Sequence, residues 1–397
     1  MRLLLYTGKG GVGKTTTAAA TAACAAERGT RTLVVSADGA HSLGDVLERR
    51  LGPEPLVVAP RLEAVEIDPR IEVVRHWGSV RDYLVELFEH QGIEAVVAEE
   101  LALLPGADEL TTLLAVEELA SRGSYDLVVV DCAPTGSTLR LLTLPDVLST
   151  GMRLVPQLLR LLSSVVSPIA RKLIAVPVPG SPVFRELEQL VGRRATSLRR
   201  RLSAGETSAR LVLTPERMAI EEARRAFTQL ALFDVACDAV VMNRMLPPAA
   251  AAEQFFQEWG RLQADRRTEV GELFAPLPVI EAPLQTDEVM GTERLAAHGR
   301  ALFAEREPCG VLCEVPRLRF RRHGAGYRVH VPLPGASADQ LDVARVGTEL
   351  VVRAGSLRRA IPLPDRFAEL ELDSARLEAG ELVVGLRRPA ATAAGEA

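Results

Sequence analysis

The chain has 397 residues, 47% hydrophobic and 25% charged, the balance of a globular protein of about two domains. Its 47 basic and 52 acidic residues leave a formal net charge of −5, so no whole-chain positive field draws it to nucleic acid or to an acidic membrane. Five cysteines, Cys24, Cys132, Cys237, Cys309 and Cys313, are odd in number and mostly scattered, which points to free thiols in a reducing, cytoplasmic setting rather than to a disulfide framework.

The first apolar run, Leu3 to Tyr6, is too short for a signal-peptide core. Between Met152 and Phe184, prolines and the charges of Arg160, Arg171 and Lys172 break the longest hydrophobic stretch, so no transmembrane helix is expected. Arg2 to Thr7, Thr32 to Ser36, Leu62 to Ile67, Leu127 to Asp131, Arg210 to Thr214 and Ala239 to Asn243 are short apolar runs, the pattern of strands buried on both faces. Helix-length segments separate them. Such alternation predicts an α/β domain with a mostly parallel sheet whose ligand lies at the carboxyl ends of the strands.

The loop after the first strand reads GKGGVGKTT, Gly8 to Thr16. Gly8, Gly10, Gly11 and Gly13 let the backbone curl, with Val12 and Thr16 in the same run, so that successive N–H groups can surround phosphate oxygens. A helix beginning near Lys14 adds its positive end. Lys14 is expected on the β- and γ-phosphates and the Thr15 hydroxyl on Mg²⁺, which makes this a P-loop NTPase with ATP and Mg²⁺ as the expected ligands.

The extra lysine, Lys9, gives the loop a deviant form that resembles the class of dimeric ATPases containing partition proteins, the nitrogenase iron protein, arsenite-pump ATPases and tail-anchored-protein-targeting ATPases. The resemblance implies a homodimer in which Lys9 reaches the partner's nucleotide. SADGAHSL, Ser36 to Leu43, resembles the first switch of that class and aligns Asp38 with the aspartate that orients the attacking water, although Gly39 replaces the usual proline. DCAPTGSTLRLL, Asp131 to Leu142, resembles the second switch of the arsenite-pump and targeting branch, and Asp131 then holds Mg²⁺ through water. LLPGADE, Leu103 to Glu109, resembles another segment of that branch. Asn243 and Arg244, in VMNR, and Pro283 and Leu284, in PLQTDEVMG, are similar to the loops that read and cover adenine. An Asn amide matches the paired donor and acceptor on adenine's edge, yet Asn after a strand is also a common turn former.

Eukaryotic targeting ATPases hold zinc across the dimer with a CxxC, whereas RMLPPAAAAEQFF follows Asn243 here, so no zinc is expected. Arsenite pumps gather three thiolates and usually fuse two ATPase halves. Here there is one P-loop and one close cysteine pair, Cys309 and Cys313.

Residues 152–202 occupy the position of the targeting branch's client-binding insertion, and Leu154, Leu158, Leu159, Leu162 and Val166 are the candidate groove. Ordinary buried helices are the alternative. Residues 305–315 read as a linker, and 316–388 as an all-β sandwich, with period-2 alternation and a PLPG turn that resemble the α-crystallin domain of small heat-shock proteins. An Ala-rich disordered tail, 389–397, is expected to end the chain. The first domain is thus expected to span 1–304. The leading expectation is a cytoplasmic homodimeric ATPase that carries hydrophobic or membrane-protein segments, without nucleic acid and with no membrane receptor identified. The alternatives are a metalloid-efflux ATPase and a positioning ATPase.

Overall fold

The computed structural model describes residues 1–37, 42–102, 107–132, 183, 186, 194–324, 326–355 and 357–388. The chain divides into two compact units, Met1–Thr207 with Gln285–Gly310, and Ser208–Leu284 with Val311–Ala397.

In the first unit, β1 (Arg2–Thr7), β2 (Thr32–Ala37), β3 (Leu56–Ala59), β4 (Leu62–Glu66) and β5 (Leu127–Cys132) lie in the order β3-β4-β2-β5-β1. All neighbours are parallel except β3 and β4. β2 and β5 are apolar and β-branched through most of their length, and all but the last residue of β2 is buried, as a sheet covered on both faces requires. Helices α1 (Lys14–Glu27), α2 (Ser42–Leu47), α3 (Pro69–His90), α4 (Ala95–Ala102), α5 (Ala107–Ser121) and α6 (Ala195–Leu202) connect or flank these strands.

Helix α1 is KTTTAAATAACAAE and is buried on nearly every side. Its small side chains let the last helix of this unit, Thr292–Phe303, approach closely. A Cβ on Gly299 of that helix would stand 2.3 Å from the carbonyl oxygen of Ala20 and 2.6 Å from Cβ of Cys24, so only glycine fits there.

In the second unit, β6 (Thr207–Leu213), β7 (Cys237–Met245) and β8 (Val279–Pro283) are parallel. Helices α7 (Arg217–Leu232), α8 (Pro248–Ala252) and α9 (Gln257–Leu273) link them, and Thr292–Phe303 becomes α10. At the base of β7 a fully buried pair, Arg210 with Asp238, is joined at 3.1 Å.

Seven further strands make the C-terminal sandwich: β9 (Arg319–His323), β10 (Gly326–Pro332), β11 (Leu341–Val346), β12 (Glu349–Ala354), β13 (Leu357–Pro362), β14 (Glu371–Glu378) and β15 (Glu381–Arg387). One sheet runs β14-β15-β10-β9 and the other β11-β12-β13, antiparallel throughout. Val329, Val331, Leu350, Val352, Leu382 and Val384 alternate into its core. Phe367 closes one end, with ring centroids 4.4 Å from Tyr327 and 5.5 Å from Phe320.

The sandwich is fastened to α7. Arg224 donates to the carbonyl of Gly335 at 2.6 Å and Thr228 to that of Pro334 at 2.5 Å. The buried guanidinium of Arg359 donates to the carbonyl of Leu232 at the C-terminal end of the helix. Gly335, in the PLPG turn, has φ +70°, and a Cβ there would meet Arg224 Cγ at 3.1 Å. The connecting stretch is tied down as well: the N–H of Leu312 donates to Asp238 at 3.3 Å and that of Leu318 to Asp234 at 3.4 Å.

Candidate active site

Three strand ends meet in the first unit. Asp131 at the end of β5 lies in register with Tyr6 of β1 on one side and Ser36 of β2 on the other. The phosphate loop therefore leaves β1 beside a fully buried carboxylate. Within the loop Gly11 has φ +81° and Gly13 φ +89°, left-handed values that other residues rarely adopt. Gly13 is the N-cap of α1, and no acidic side chain lies in the first turn. The helix end thus presents free N–H groups and partial positive charge to an anion.

Lys14 is 6% exposed. Among the described residues its ammonium makes one hydrogen bond, a long one of 3.4 Å to the carbonyl oxygen of Lys9. A buried ammonium with three donors and so little acceptance fits an anionic ligand in front of it, because burying an unmatched charge is otherwise costly. Thr15 Oγ1 and Ser42 Oγ are 3.0 Å apart, two hard oxygen donors of the kind Mg²⁺ accepts. The donor set therefore fits a Mg²⁺–triphosphate: Lys14 and the loop N–H groups would hold the phosphates, with Thr15 on the metal and Asp131 behind it. Gly8 and Val12 are buried, whereas Lys9, Gly10, Gly11 and Thr16 are at least partly open.

Asp38 lies outside the described residues. Its flanks do not: Ala37 pairs with Cys132, and Ser42, where α2 begins, meets Thr15. The N–H of Gly44 is accepted by Glu66 at 2.8 Å, which fixes α2 to the end of β4. Leu103 to Gly106 and the groove candidates Leu154, Leu158, Leu159, Leu162 and Val166 also lie outside the described residues.

In the second unit β7 and β8 bring the proposed base-reading residues together. Met245 is in register with Pro283, and the N–H of Leu284 donates to the carbonyl of Met245 at 2.7 Å. Asn243 is 9% exposed, and its Oδ1 accepts the N–H of Arg244 at 2.8 Å, an arrangement helped by φ +59° at Arg244. Arg244 and Leu284 line a cavity of about 440 Å³ together with Thr214, Arg217, Phe256 and Trp259. Sequence reasoning did not reach these last four. Thr214 and Arg217 follow the end of β6, so the carboxyl-end rule pointed towards them. Phe256 and Trp259 come from the start of α9, with no local signal.

Among the described residues no group of three or more His, Cys, Asp or Glu side chains is placed to hold a metal ion. Cys24, Cys132 and Cys237 are buried. Burial pushes the thiols of Cys24, Cys237, Cys309 and Cys313 up from their ordinary value, which disfavours the thiolate that binds soft metals and metalloids.

Comparison with known proteins gives a consistent picture. A family model of anion-transporting ATPases matches residues 1–304, and a model of the HSP20-like domain found in such ATPases matches 324–386. The putative arsenical pump-driving ATPase of Chlorobaculum tepidum is 37% identical over 376 residues, covering 94% of this chain and 92% of the relative. Putative arsenical pump-driving ATPase 1 of Aquifex aeolicus is 32% identical over 393 residues, 97% and 99% of the two chains. ATPase GET3 of Podospora anserina is 30% identical over 308 residues, 74% and 88%. The mostly parallel sheet, the phosphate loop and these matches place the chain in the anion-transporting, arsenite-pump type of P-loop ATPase, with an α-crystallin-like domain at its C-terminal end.

Proposed function

We propose that the protein is an ATP-hydrolysing homodimer that takes up apolar segments of other proteins when ATP is bound and releases them after hydrolysis. The cleavage step asks for water held in line with the γ-phosphate and for positive charge on the oxygens that gain it. Asp38 would accept the hydrogen bond of that water, and Lys14 with the α1 end would offset the charge. Mg²⁺, when bound, would supply the rest. Lys9, on the open side of the loop, would serve the partner's nucleotide.

The placement of the cysteines favours a carrier over a metalloid pump, since among the described residues no three His, Cys, Asp or Glu side chains are grouped to hold a metal ion. A soft-ion trigger needs converging thiolates, and four of the five thiols here are pushed towards the protonated form. Exposed aliphatic side chains on α3 and α4, Ile71, Val74, Val96 and Val97, also favour apolar partners, since surfaces rich in such groups tend to be covered.

ATP turnover measured with increasing arsenite or antimonite tests this choice. The carrier reading expects no stimulation. A saturable activation abolished by replacing Cys132 or Cys309 would contradict it and favour efflux.

A further inference from the structure

The β9–β10 hairpin sets Arg321 directly opposite Arg328, and both side chains are exposed. Like charges placed opposite each other on a sheet repel and cost stability. Elsewhere in the sandwich such pairs have counter-charges beside them. Arg353 faces Arg358, but Asp342 lies 3.9 Å from Arg353. Glu378 faces Glu381, and Glu381 is held by Arg319 at 2.5 Å and by His330 at 2.8 Å. Among the described residues neither Arg321 nor Arg328 meets a carboxylate.

Across the sheet at the same level stand Gly385 and Ser374, and a Cβ on Gly385 would lie 2.5 Å from Ser374 Oγ. The Asp373 carboxylate also comes within 3.5 Å of that position, and its own partner is Arg387 at 3.9 Å. His323, two residues along β9, shares the face and is exposed. Among the described residues β9 is the last strand of the sheet. Its outer edge offers backbone donors and acceptors, and four of its five residues, RFRRH, are basic.

We propose that the β9 edge and the neighbouring arginine face dock an acidic, extended segment of a partner protein, which adds to the sheet beside β9 and brings alternate carboxylates to Arg321 and Arg328. Main-chain bonds supply affinity in strand addition, and alternate side chains supply selectivity. A period of two puts every second carboxylate on the arginine side. Nucleic acid and anionic lipid match the charge but not the backbone edge. Protection against edge-to-edge aggregation is served by charge of either sign, so it does not require two facing arginines. The inference is independent of the carrier reading.

Full-length protein is titrated into a fluorescent peptide alternating Glu and Val, with a Lys–Val peptide, a single-stranded oligonucleotide and phosphatidylglycerol vesicles as the other arms. Saturable, salt-sensitive binding of the Glu–Val peptide is expected. The double variant Arg321→Glu/Arg328→Glu should weaken it by at least about tenfold and should bind the Lys–Val peptide instead, with an unchanged melting curve. Arg321→Gln/Arg328→Gln, which adds no repulsion, should give an intermediate loss. Undiminished binding in the reversed variant, no binding by wild type at low salt, or a preference for the oligonucleotide or the vesicles would overturn the proposal.

Discussion

At the scale of single residues, the account depends on charges placed where phosphate is to lie. Lys14 is buried, and among the described residues its ammonium makes one long bond, to the loop carbonyl of Lys9, which fits compensation by an anionic ligand. Asp38 is proposed for the complementary task at the γ-phosphate, and the residues on both sides of it are anchored at the ends of β5 and α1. Asp38→Asn should leave ATP affinity close to wild type, because the cradle is backbone and Lys14, and should slow hydrolysis by orders of magnitude. Nucleotide titration and phosphate release on the same preparation separate the two, and wild-type turnover would remove Asp38 from the mechanism. If the proposed homodimer forms, Lys9→Ala should impair its ATP-dependent closure, since it removes the cation proposed to reach the partner's phosphates. Light scattering with and without ATP reads this directly: an active wild type that stays monomeric would refute the cross-dimer role.

At the scale of elements, close packing explains much that composition alone leaves unsaid. Helix α1 is alanine-rich because α10 lies against it, and Gly299 marks the nearest approach. Gly299→Ala puts a carbon into backbone at Ala20, where no side chain can swing away. A loss of roughly 1–3 kcal/mol is expected, visible as a fall in Tm of a few degrees, while an unchanged melting curve would mean that the two helices do not pack this way. The buried strands of the first unit were legible in sequence because they are continuous apolar runs: β1, β2 and β5 lie within a residue of where their hydrophobicity puts them. β3 was not legible, since Leu56 and Val57 face solvent on a four-residue antiparallel edge and carry no periodic signal. β8, VIEAP, is short and ends in proline, so it reads as loop until its pairing with β7 is seen. The cavity beside Arg244 has the same character. Its motif residues were visible, while Phe256 and Trp259 reach it only through the path of α9.

At the scale of the whole molecule, the C-terminal sandwich is more than an appendage on a string. Arg224, Thr228 and Arg359 fasten it along α7, and the preceding stretch is pinned by Asp234 and Asp238. The residues between 305 and 315, linker-like in composition, thus include contacts as specific as those of a loop in a core. An acidic partner docked on β9 would in consequence be held by the same unit that carries Asn243 and Arg244.

In the proposed carrier cycle, ATP binding creates affinity for apolar segments. The Asp38→Asn form, able to bind ATP but slow to cleave it, is mixed with a fluorescent apolar helical peptide in the presence of ATP, ADP or no nucleotide. The account predicts saturable binding with ATP and little without it. Replacing Leu158, Leu159 and Leu162 by Ser should abolish that binding, each leucine being worth on the order of 1.5–3 kcal/mol when covered, with basal ATP turnover in the otherwise wild-type chain retained. Equal binding in all three nucleotide states, or none in any of them, would contradict the claim.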